Sequence, residues 1–393
     1  MTEPTGPAPN GMLLTGADVV TPDGVLPGGW LLVTGDRITA LGQPPAPPSA
    51  STVDCTGLTL VPGFVDIHQH GGGGASYDGG PDDIAAALAL HRAHGTTTSV
   101  ASLVSLPLPR LRRVLAELAE WVQEGELAGV HLEGPWLAAA RCGAHDPAAL
   151  RSPDVGEVAD VLRRGAGTIR MVTLAPELDD GFAAVKTLVA AGVVAAMGHT
   201  DGDFDLAVAA VEAGVTVATH LFNAMPRPLS RDPGPVLALL ADPWVTVELI
   251  GDGVHLHTGW VRHVLDAAGP DRVALVTDAI AAAGMSDGSY RLGGLDVAVA
   301  DGVARLRSVG SADPGVPGAI AGGTATSDLL FRRAVTEYGL SLPAAAQVTA
   351  TTPATALGLR DVGALIPGLR ADVVALDADL TVRRVLRAGH WHS

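Results

Sequence analysis

Side chains of the kinds that bind metal ions lie at the ends of apolar segments in this chain of 393 residues. Each segment has the length and composition of a buried strand, and the polar residue stands where the segment stops. Histidine and carboxylate ligands suit zinc or a similar divalent ion. The residues are His68, His70, Glu133, His199, His220 and Asp278. Their types predict a divalent metal site, provided that the fold brings them together.

The first two of these residues, His68 and His70, are separated by a single position. Side chains at i and i+2 of a strand point to the same face, so both rings can approach one ion. A lone histidine at a strand end is more often a hydrogen-bonded structural residue. That explanation becomes improbable when it must hold for five ligand positions and an aspartate together. The whole set therefore favours metal binding.

The elements that must position these residues alternate along the middle of the chain. Eight apolar segments are separated by helical patterns, several of which end at glycine. The alternation favours a parallel (β/α)8 TIM-type barrel over an open doubly wound sheet, and no GxGxxG motif follows the first strand. The ligand-type residues then fall at the C-terminal strand ends, where barrel enzymes hold their active sites. The segments are 63–70, 96–105, 128–134, 169–177, 193–200, 215–223, 245–255 and 272–279.

The two ends of the chain differ from this middle. Both contain short β-branched segments separated by Gly, Asp and Pro, which is typical of strands and turns. We therefore predict a small β-sandwich domain built from residues 1–62 and 362–393, and a metal-dependent catalytic barrel over 63–361. Residues 289–306 predict a hairpin inserted after the eighth strand, and 327–339 and 341–358 predict two further helices.

Composition restricts the partners and the compartment. The chain has 25 basic and 42 acidic residues, a formal charge of −17, which disfavours nucleic acid and anionic membranes as partners. Only two cysteines occur, as expected in a reducing cytoplasm. The segment MTEPTGPAPNG has neither the basic nor the apolar region of a signal peptide, and no apolar stretch is long enough to span a membrane. These features predict a cytoplasmic protein without nucleic-acid or membrane partners.

Seven short motifs resemble those of one known family. PGFVDIHQHG at 62–71 resembles the first-strand motif of the amidohydrolase superfamily. Six further motifs follow in the order found in the N-acetylglucosamine-6-phosphate deacetylase family of that superfamily. They are HLEGPW at 131–136, GAHDP at 143–147, MGHT at 197–200, THLFNAM at 219–225, DGVHLH at 252–257 and VTDA at 276–279. Together they are highly specific, and the resemblance covers about residues 55–376.

The resemblance implies an activity and roles for individual residues. The activity is metal-dependent hydrolysis of the acetamide of N-acetylglucosamine 6-phosphate to glucosamine 6-phosphate and acetate, in amino-sugar catabolism and cell-wall recycling. Glu133, His199 and His220 match the family's principal metal ligands, and Asp278 matches its catalytic acid and base. His145 matches a loop histidine near the substrate carbonyl.

The family also implies how the phosphorylated amino sugar is held. Arg231 matches an arginine that reaches the phosphate from a neighbouring subunit, so a homodimer is expected. The other substrate-binding positions implied are Ala144, Asn223, Ala224, His255, Ile320, Ala321 and Gly322.

The number of metal ions, one or two per subunit, stays open. Some family members lack the HxH pair and keep one metal, whereas this chain has both His68 and His70. Many binuclear amidohydrolases bridge their metals with a carboxylated lysine at the end of strand four. The single lysine here, Lys186, lies in a predicted helix, so a bridge would have to be Glu133. This disfavours dihydroorotase-like, urease-like and phosphotriesterase-like interpretations.

Two alternatives remain at this stage. The chain could act on another N-acetyl or cyclic amide substrate within the superfamily, although the DGVH and HLFNAM motifs favour a sugar phosphate. It could also be a non-catalytic sugar-phosphate sensor, although the complete ligand set and Asp278 argue against that.

Overall fold

A computed structural model describes residues 11–49, 51–307 and 318–392 of the chain. The segment 1–11, in which the sequence predicts no signal peptide, lies outside these residues except for Gly11. Within the described part, no helix is both long and apolar enough to cross a membrane.

Both ends of the chain contribute to one branched sheet, as predicted. The strands are β1 (Met12–Thr21), β2 (Gly24–Thr34), β3 (Arg37–Gly42), β4 (Ser51–Asp54), β5 (Thr59–Pro62), β19 (Val373–Leu376), β20 (Val382–Arg387) and β21 (His390–His392). The centre of the sheet is β1, which pairs antiparallel with β2 on one side and parallel with β4 and then β5 on the other. Because β19 pairs antiparallel with β5, the C-terminal strands complete a sheet that the N-terminal strands begin. Leu14, Leu31, Leu60 and Leu386 are fully buried in its core.

The middle of the chain forms the predicted barrel of eight parallel strands. Each strand is hydrogen-bonded to the next in chain order. A parallel bridge between Gln69 and Ala279 brings the first strand beside the segment after the last, which closes the barrel. The strands are β6 (Phe64–Gln69), β9 (Thr96–Leu103), β10 (Gly129–Glu133), β11 (Ile169–Leu174), β12 (Val194–Met197), β13 (Val215–Ala218), β14 (Thr246–Ile250) and β15 (Val273–Val276). The domain limits at 62/63 and 361/362 stay a proposal, and they fall between elements.

Helices alternate with these strands and cover the barrel. Their apolar faces pack on the strands in one large buried cluster that includes Leu115, Val172 and Leu188. Side-chain caps start several of them, as where Asp154 accepts a hydrogen bond from the backbone N–H of Glu157. The helices are α1 (Pro81–Ala93), α2 (Leu108–Gln123), α3 (Val155–Arg164), α4 (Gly181–Ala190), α5 (Phe204–Ala213), α6 (Gly234–Ala241), α7 (Thr258–Ala268), α8 (Ser327–Thr336), α9 (Leu342–Ala346) and α10 (Thr352–Ala356).

Three local features go beyond the sequence prediction. Helix α6 was not predicted, because GPVLALLA is apolar on almost every side and shows no helical periodicity. The insertion after the eighth strand is a three-stranded sheet of β16 (Gly288–Leu292), β17 (Leu295–Ala300) and β18 (Val303–Leu306). A shorter pair, β7 (Gly71–Gly72) and β8 (Ala75–Ser76), follows the first barrel strand. The insertion and the short pair both lie beside the C-terminal ends of the barrel strands.

Candidate active site

Glu133, the last residue of β10, lies at the centre of the predicted ligand set. Its Oε1 is 3.0 Å from Nε2 of His199 and 2.8 Å from Nε2 of His220. Its Oε2 faces the other histidine pair, at 3.2 Å from Nε2 of His70 and 3.7 Å from Nε2 of His68. One carboxylate therefore stands between two histidine pairs, and each of its oxygens faces one pair.

Asp278 lies on one side of this carboxylate only. Its Oδ1 is 3.1 Å from Nε2 of His70 and 3.5 Å from Nε2 of His68. These four residues place one ligand atom each within 4.8 Å of the others, which is a geometry that can hold a metal ion. Glu133, His145 and His199 form a second group of that kind.

The backbone turns sharply at three of these positions. His199, His220 and Asp278 have φ values of 50°, 27° and 48°, in the left-handed region that residues other than glycine seldom adopt. Each lies two residues after the end of its barrel strand. Strain of this kind persists where the surrounding structure fixes it, and it is common at functional sites. Here the turns direct three side chains toward the same centre.

Two of the histidine rings are held by hydrogen bonds at Nδ1, so that Nε2 of each ring faces that centre. A carbonyl or a carboxylate only accepts, so Nδ1 of His199 donates to the Arg141 carbonyl at 2.8 Å and Nδ1 of His68 donates to Glu248 Oε2 at 3.1 Å. With Nδ1 engaged in these bonds, Nε2 is the nitrogen of each ring that faces the Glu133 carboxylate and is placed to bind a cation. Nε2 of His68 is buried and has no hydrogen-bond partner among the described residues. A cation between these nitrogens and the carboxylates satisfies both, so the residues fit a divalent metal.

The pKa shifts of His70 and Asp278 also indicate a site that stabilises positive charge. Burial alone lowers the pKa of His70, but hydrogen bonds and charge from Asp278 and Glu133 outweigh it and raise that pKa to about 9. Burial is also outweighed at Asp278, where His68 and His70 hold the pKa at about 2. The buried carboxylates thus stabilise positive charge at this centre, which is what a metal site requires.

His145 is neutral and presents a hydrogen-bond donor. The backbone N–H of Ser105 donates to its Nδ1 at 3.0 Å, so the ring proton is on Nε2, 3.3 Å from Glu133 Oε2. Burial lowers the pKa of His145 to about 4, which keeps the ring uncharged near neutral pH. By contrast, both ring nitrogens of His131 are hydrogen-bonded, Nδ1 to Ser102 at 2.9 Å and Nε2 to Thr173 at 2.8 Å. Neither nitrogen is therefore available to a ligand.

A cavity of about 250 Å³ opens above this cluster. Every predicted site residue lines it except His68, which is buried beneath it, and Arg231, which is exposed on the loop after the sixth barrel strand. The predicted residues in its lining are His70, Glu133, Ala144, His145, His199, His220, Asn223, Ala224, His255, Asp278, Ile320, Ala321 and Gly322. His255 is held by Asp252, whose Oδ2 lies 2.8 Å from its Nδ1.

Some residues of the site were not predicted. Val104, Ile250, Leu292 and Ala319 add apolar lining, and nothing distinguishes them from other apolar residues in the sequence. Gly143 has φ +54°, and a Cβ there would lie 3.0 Å from Cε1 of His199. Glu248 had a recognisable signal: it is an acidic residue in the middle of an apolar strand segment.

Comparison with known proteins places this geometry in a family context. A model of the amidohydrolase family matches residues 59–391. N-acetylgalactosamine-6-phosphate deacetylase of Escherichia coli O157:H7 is 33% identical over 340 residues, which are 85% of this chain and 88% of that protein. N-acetylglucosamine-6-phosphate deacetylase of Bos taurus is 35% identical over 353 residues, 86% of this chain and 84% of that protein.

A solved structure extends this similarity to the fold. It is a variant of N-acetyl-D-glucosamine-6-phosphate deacetylase from Mycobacterium smegmatis in complex with N-acetyl-D-glucosamine-6-phosphate. It is 49% identical to this chain, has a TM-score of 0.92, and the match covers 98% of this chain and 99% of that one.

Proposed function

The chain belongs to the amidohydrolase family, and we propose that it is a deacetylase of N-acetylglucosamine 6-phosphate. The reaction releases glucosamine 6-phosphate and acetate, and serves amino-sugar catabolism and cell-wall recycling. The observation that carries the proposal is the buried Glu133 carboxylate between two histidine pairs, at the floor of a pocket that also holds Asp278 and His145. Relatives that match over most of their length bear this activity in their names.

Metal binding by the cluster supports hydrolysis. Glu133, His199 and His220 would hold one ion, and His68 and His70 with Glu133 a second. We propose zinc, because histidine and carboxylate ligands suit it. A divalent ion at such a site polarises a carbonyl group and lowers the pKa of water.

Asp278 is the proposed acid and base. Its carboxylate lines the pocket and is ionised, so it can accept a proton from the attacking water. The same proton is then delivered to the nitrogen of the leaving amine as the amide bond breaks. His145 donates its Nε2 hydrogen to the acetamide carbonyl oxygen and stabilises the negative charge that develops there.

The sugar and its phosphate occupy the rest of the pocket. Ala144 and the segment 320–322 leave room for the sugar ring, whereas Asn223, Ala224 and His255 contact the phosphorylated end. Arg231 is exposed in the single chain, and we propose that it reaches the phosphate in the neighbouring subunit of a homodimer. Leu229, two residues away and 64% exposed, is apolar surface that such a dimer would bury.

The compartment is part of the same proposal. The two cysteines, Cys55 and Cys142, are free in the structure, as is usual in a reducing compartment. We propose that the protein works in the cytoplasm, without nucleic acid or membrane partners.

Acetate release from a panel of substrates tests the proposed function. The panel contains N-acetylglucosamine 6-phosphate, its galactosamine epimer, unphosphorylated N-acetylglucosamine, an N-acetyl amino acid and a cyclic amide. The proposal expects the highest kcat/KM for the first compound. Preference for the epimer would transfer the assignment to the activity named for the E. coli relative. Tight binding of the sugar phosphate without acetate release would instead indicate a sensor.

A further inference from the structure

Glu248 is a buried carboxylate to which the reaction assigns no role. It is the third residue of β14 and has no exposed surface. A carboxylate is costly to bury unless hydrogen bonds or charges compensate. Among the described residues, its side chain has a single ion-pair partner, His68, and no lysine or arginine contacts it. This partner connects the carboxylate directly to the cluster around Glu133.

The two hydrogen bonds of this carboxylate go to different halves of the cluster. Its Oε2 accepts from Nδ1 of His68 at 3.1 Å and from the backbone N–H of His220 at 3.2 Å. His68 belongs to the pair that faces Glu133 Oε2, and His220 belongs to the pair that faces Glu133 Oε1. The main chain adds a third contact, because the Glu248 carbonyl accepts from the N–H of Leu221 at 2.9 Å.

We propose that Glu248 is a positioning residue that orients one ligand of each histidine pair for metal binding. This inference rests on the metal site of the proposed function and adds to it a residue that touches neither substrate nor metal.

Two physical effects give Glu248 this role. Because a carboxylate only accepts, it fixes the proton of His68 on Nδ1 and leaves the Nε2 lone pair for the metal. At His220 the backbone has φ 27°, and the bonds to Glu248 from His220 and Leu221 hold that turn in place. Loss of the side-chain acceptor therefore frees the ring of His68 and loosens the turn that carries His220.

The arrangement suggests a matched pair of variants. Both donors converge on Oε2, while Oε1 is buried and has no hydrogen-bond partner in the described part of the chain. In Glu248→Gln the amide oxygen can take the place of Oε2 and keep both bonds, although the negative charge is lost. Glu248→Met has a similar length but no acceptor at all. Asp372→Asn is the control, because Asp372 is also buried and ion-paired, but with Arg370.

The experiment measures zinc affinity rather than turnover. Each purified protein is stripped with a chelator, checked for folding by circular dichroism, and titrated with zinc against a chromophoric chelator. We expect Glu248→Met to bind zinc about 10–100-fold more weakly than the native protein, as is usual for residues that orient metal ligands. Glu248→Gln should recover part of this loss, and Asp372→Asn should bind as the native protein does.

The possible results separate this inference from the proposed function. If native protein binds zinc and Glu248→Met binds it equally well, the positioning role is wrong while the metal site stands. A loss of affinity in Asp372→Asn as large as that in Glu248→Met would also overturn it, because general destabilisation would then suffice. If Glu248→Met does not fold, Glu248→Leu, which also offers no acceptor to His68 and His220, takes its place, and native zinc affinity in that variant overturns the inference. Native protein that binds no zinc would overturn the proposed metal site itself.

Discussion

Glu133 and Asp278 are both buried carboxylates beside the same histidines, and their contacts separate their roles. Glu133 faces both histidine pairs, one with each oxygen. Asp278 contacts the His68–His70 pair only and stands in the pocket wall. These contacts support the proposed roles, in which Glu133 holds metal and Asp278 exchanges protons with the substrate.

The substitution Asp278→Asn tests that distinction. It should lower turnover of N-acetylglucosamine 6-phosphate by about 10²–10⁴-fold, the usual contribution of a general acid or base. Binding of the substrate should persist, since the other lining residues are unchanged. Steady-state kinetics and calorimetric titration with substrate measure the two effects. Turnover close to that of the native protein would refute the assignment of Asp278.

Metal content distinguishes Glu133 from His68. Glu133→Ala should lose more metal than His68→Ala, because it removes the group that contacts both histidine pairs. His68→Ala removes one ligand from one pair only. Elemental analysis of the two purified variants gives the comparison. Full retention of metal in Glu133→Ala would contradict the central position given to this residue.

Two histidines at the C-terminal end of helix α1, His91 in its last turn and His94 just after it, have opposite electrostatic surroundings. His91 is fully buried, and its Nε2 donates to the carbonyl of Gly71, the first residue of β7, at 2.9 Å. Burial lowers its pKa to about 4. His94, three residues later, is partly exposed and bonds to Asp328 on α8 at 3.1 Å, which raises its pKa.

The buried histidine predicts a pH dependence of stability. In the unfolded chain His91 is protonated below about pH 6.5, whereas in the folded chain it is protonated only below about pH 4. The stability of the folded protein therefore falls as the pH falls through this window. The full loss is about 3 kcal/mol. His91→Gln should remove that part of the slope, as measured by thermal unfolding at pH 7.5 and pH 5.

His94→Gln is the control for this prediction. A raised pKa in the folded state adds stability at low pH, so removal of His94 should make the protein less tolerant of acid. If the two variants changed the pH dependence of stability in the same direction, the opposite pKa shifts assigned to the two histidines would be wrong.

The elements differ in how far sequence could predict them. The barrel strands were predictable, because each is a compact apolar segment between helical patterns, as with β10, which ends at Glu133. Helix α6 could not be predicted, because nearly all of its side chains are apolar and the sequence shows no alternation of apolar and polar residues with helical period. The metal-ligand residues of the site could be recognised from the sequence because they are polar residues at or just after these apolar segments. The hydrogen bond from His68 to Glu248 joins residues 180 positions apart, and only the folded barrel shows it.

At the scale of the whole molecule, Arg231 tests whether the site is shared between subunits. If it reaches the neighbouring site, Arg231→Ala should lower kcat/KM for the phosphorylated sugar by about 10–150-fold, the value of a charge-assisted contact. Activity on an unphosphorylated acetylated sugar should change little, because that compound offers no phosphate to the guanidinium. Equal losses on both substrates would contradict a phosphate contact.

Mixed dimers give a sharper result. If Arg231 serves the neighbouring site of a homodimer, a dimer of one Arg231→Ala subunit and one Asp278→Asn subunit has both defects in one site and neither in the other. After subunit exchange of an equal mixture, about a quarter of the native activity should return, as random pairing requires. If heterodimers form and no activity returns, Arg231 does not serve the neighbouring site.

We propose above all that the cluster around Glu133 binds the metal that hydrolysis of the acetamide requires. To test this, the protein is stripped of metal and titrated with zinc, and acetate release from N-acetylglucosamine 6-phosphate is followed at each addition. We expect almost no release at the start, a rise that saturates at one or two zinc ions per subunit, and no rise in Glu133→Ala. Full acetate release by the metal-free protein, or an equal rise in Glu133→Ala, would show that this cluster does not bind the metal of the reaction.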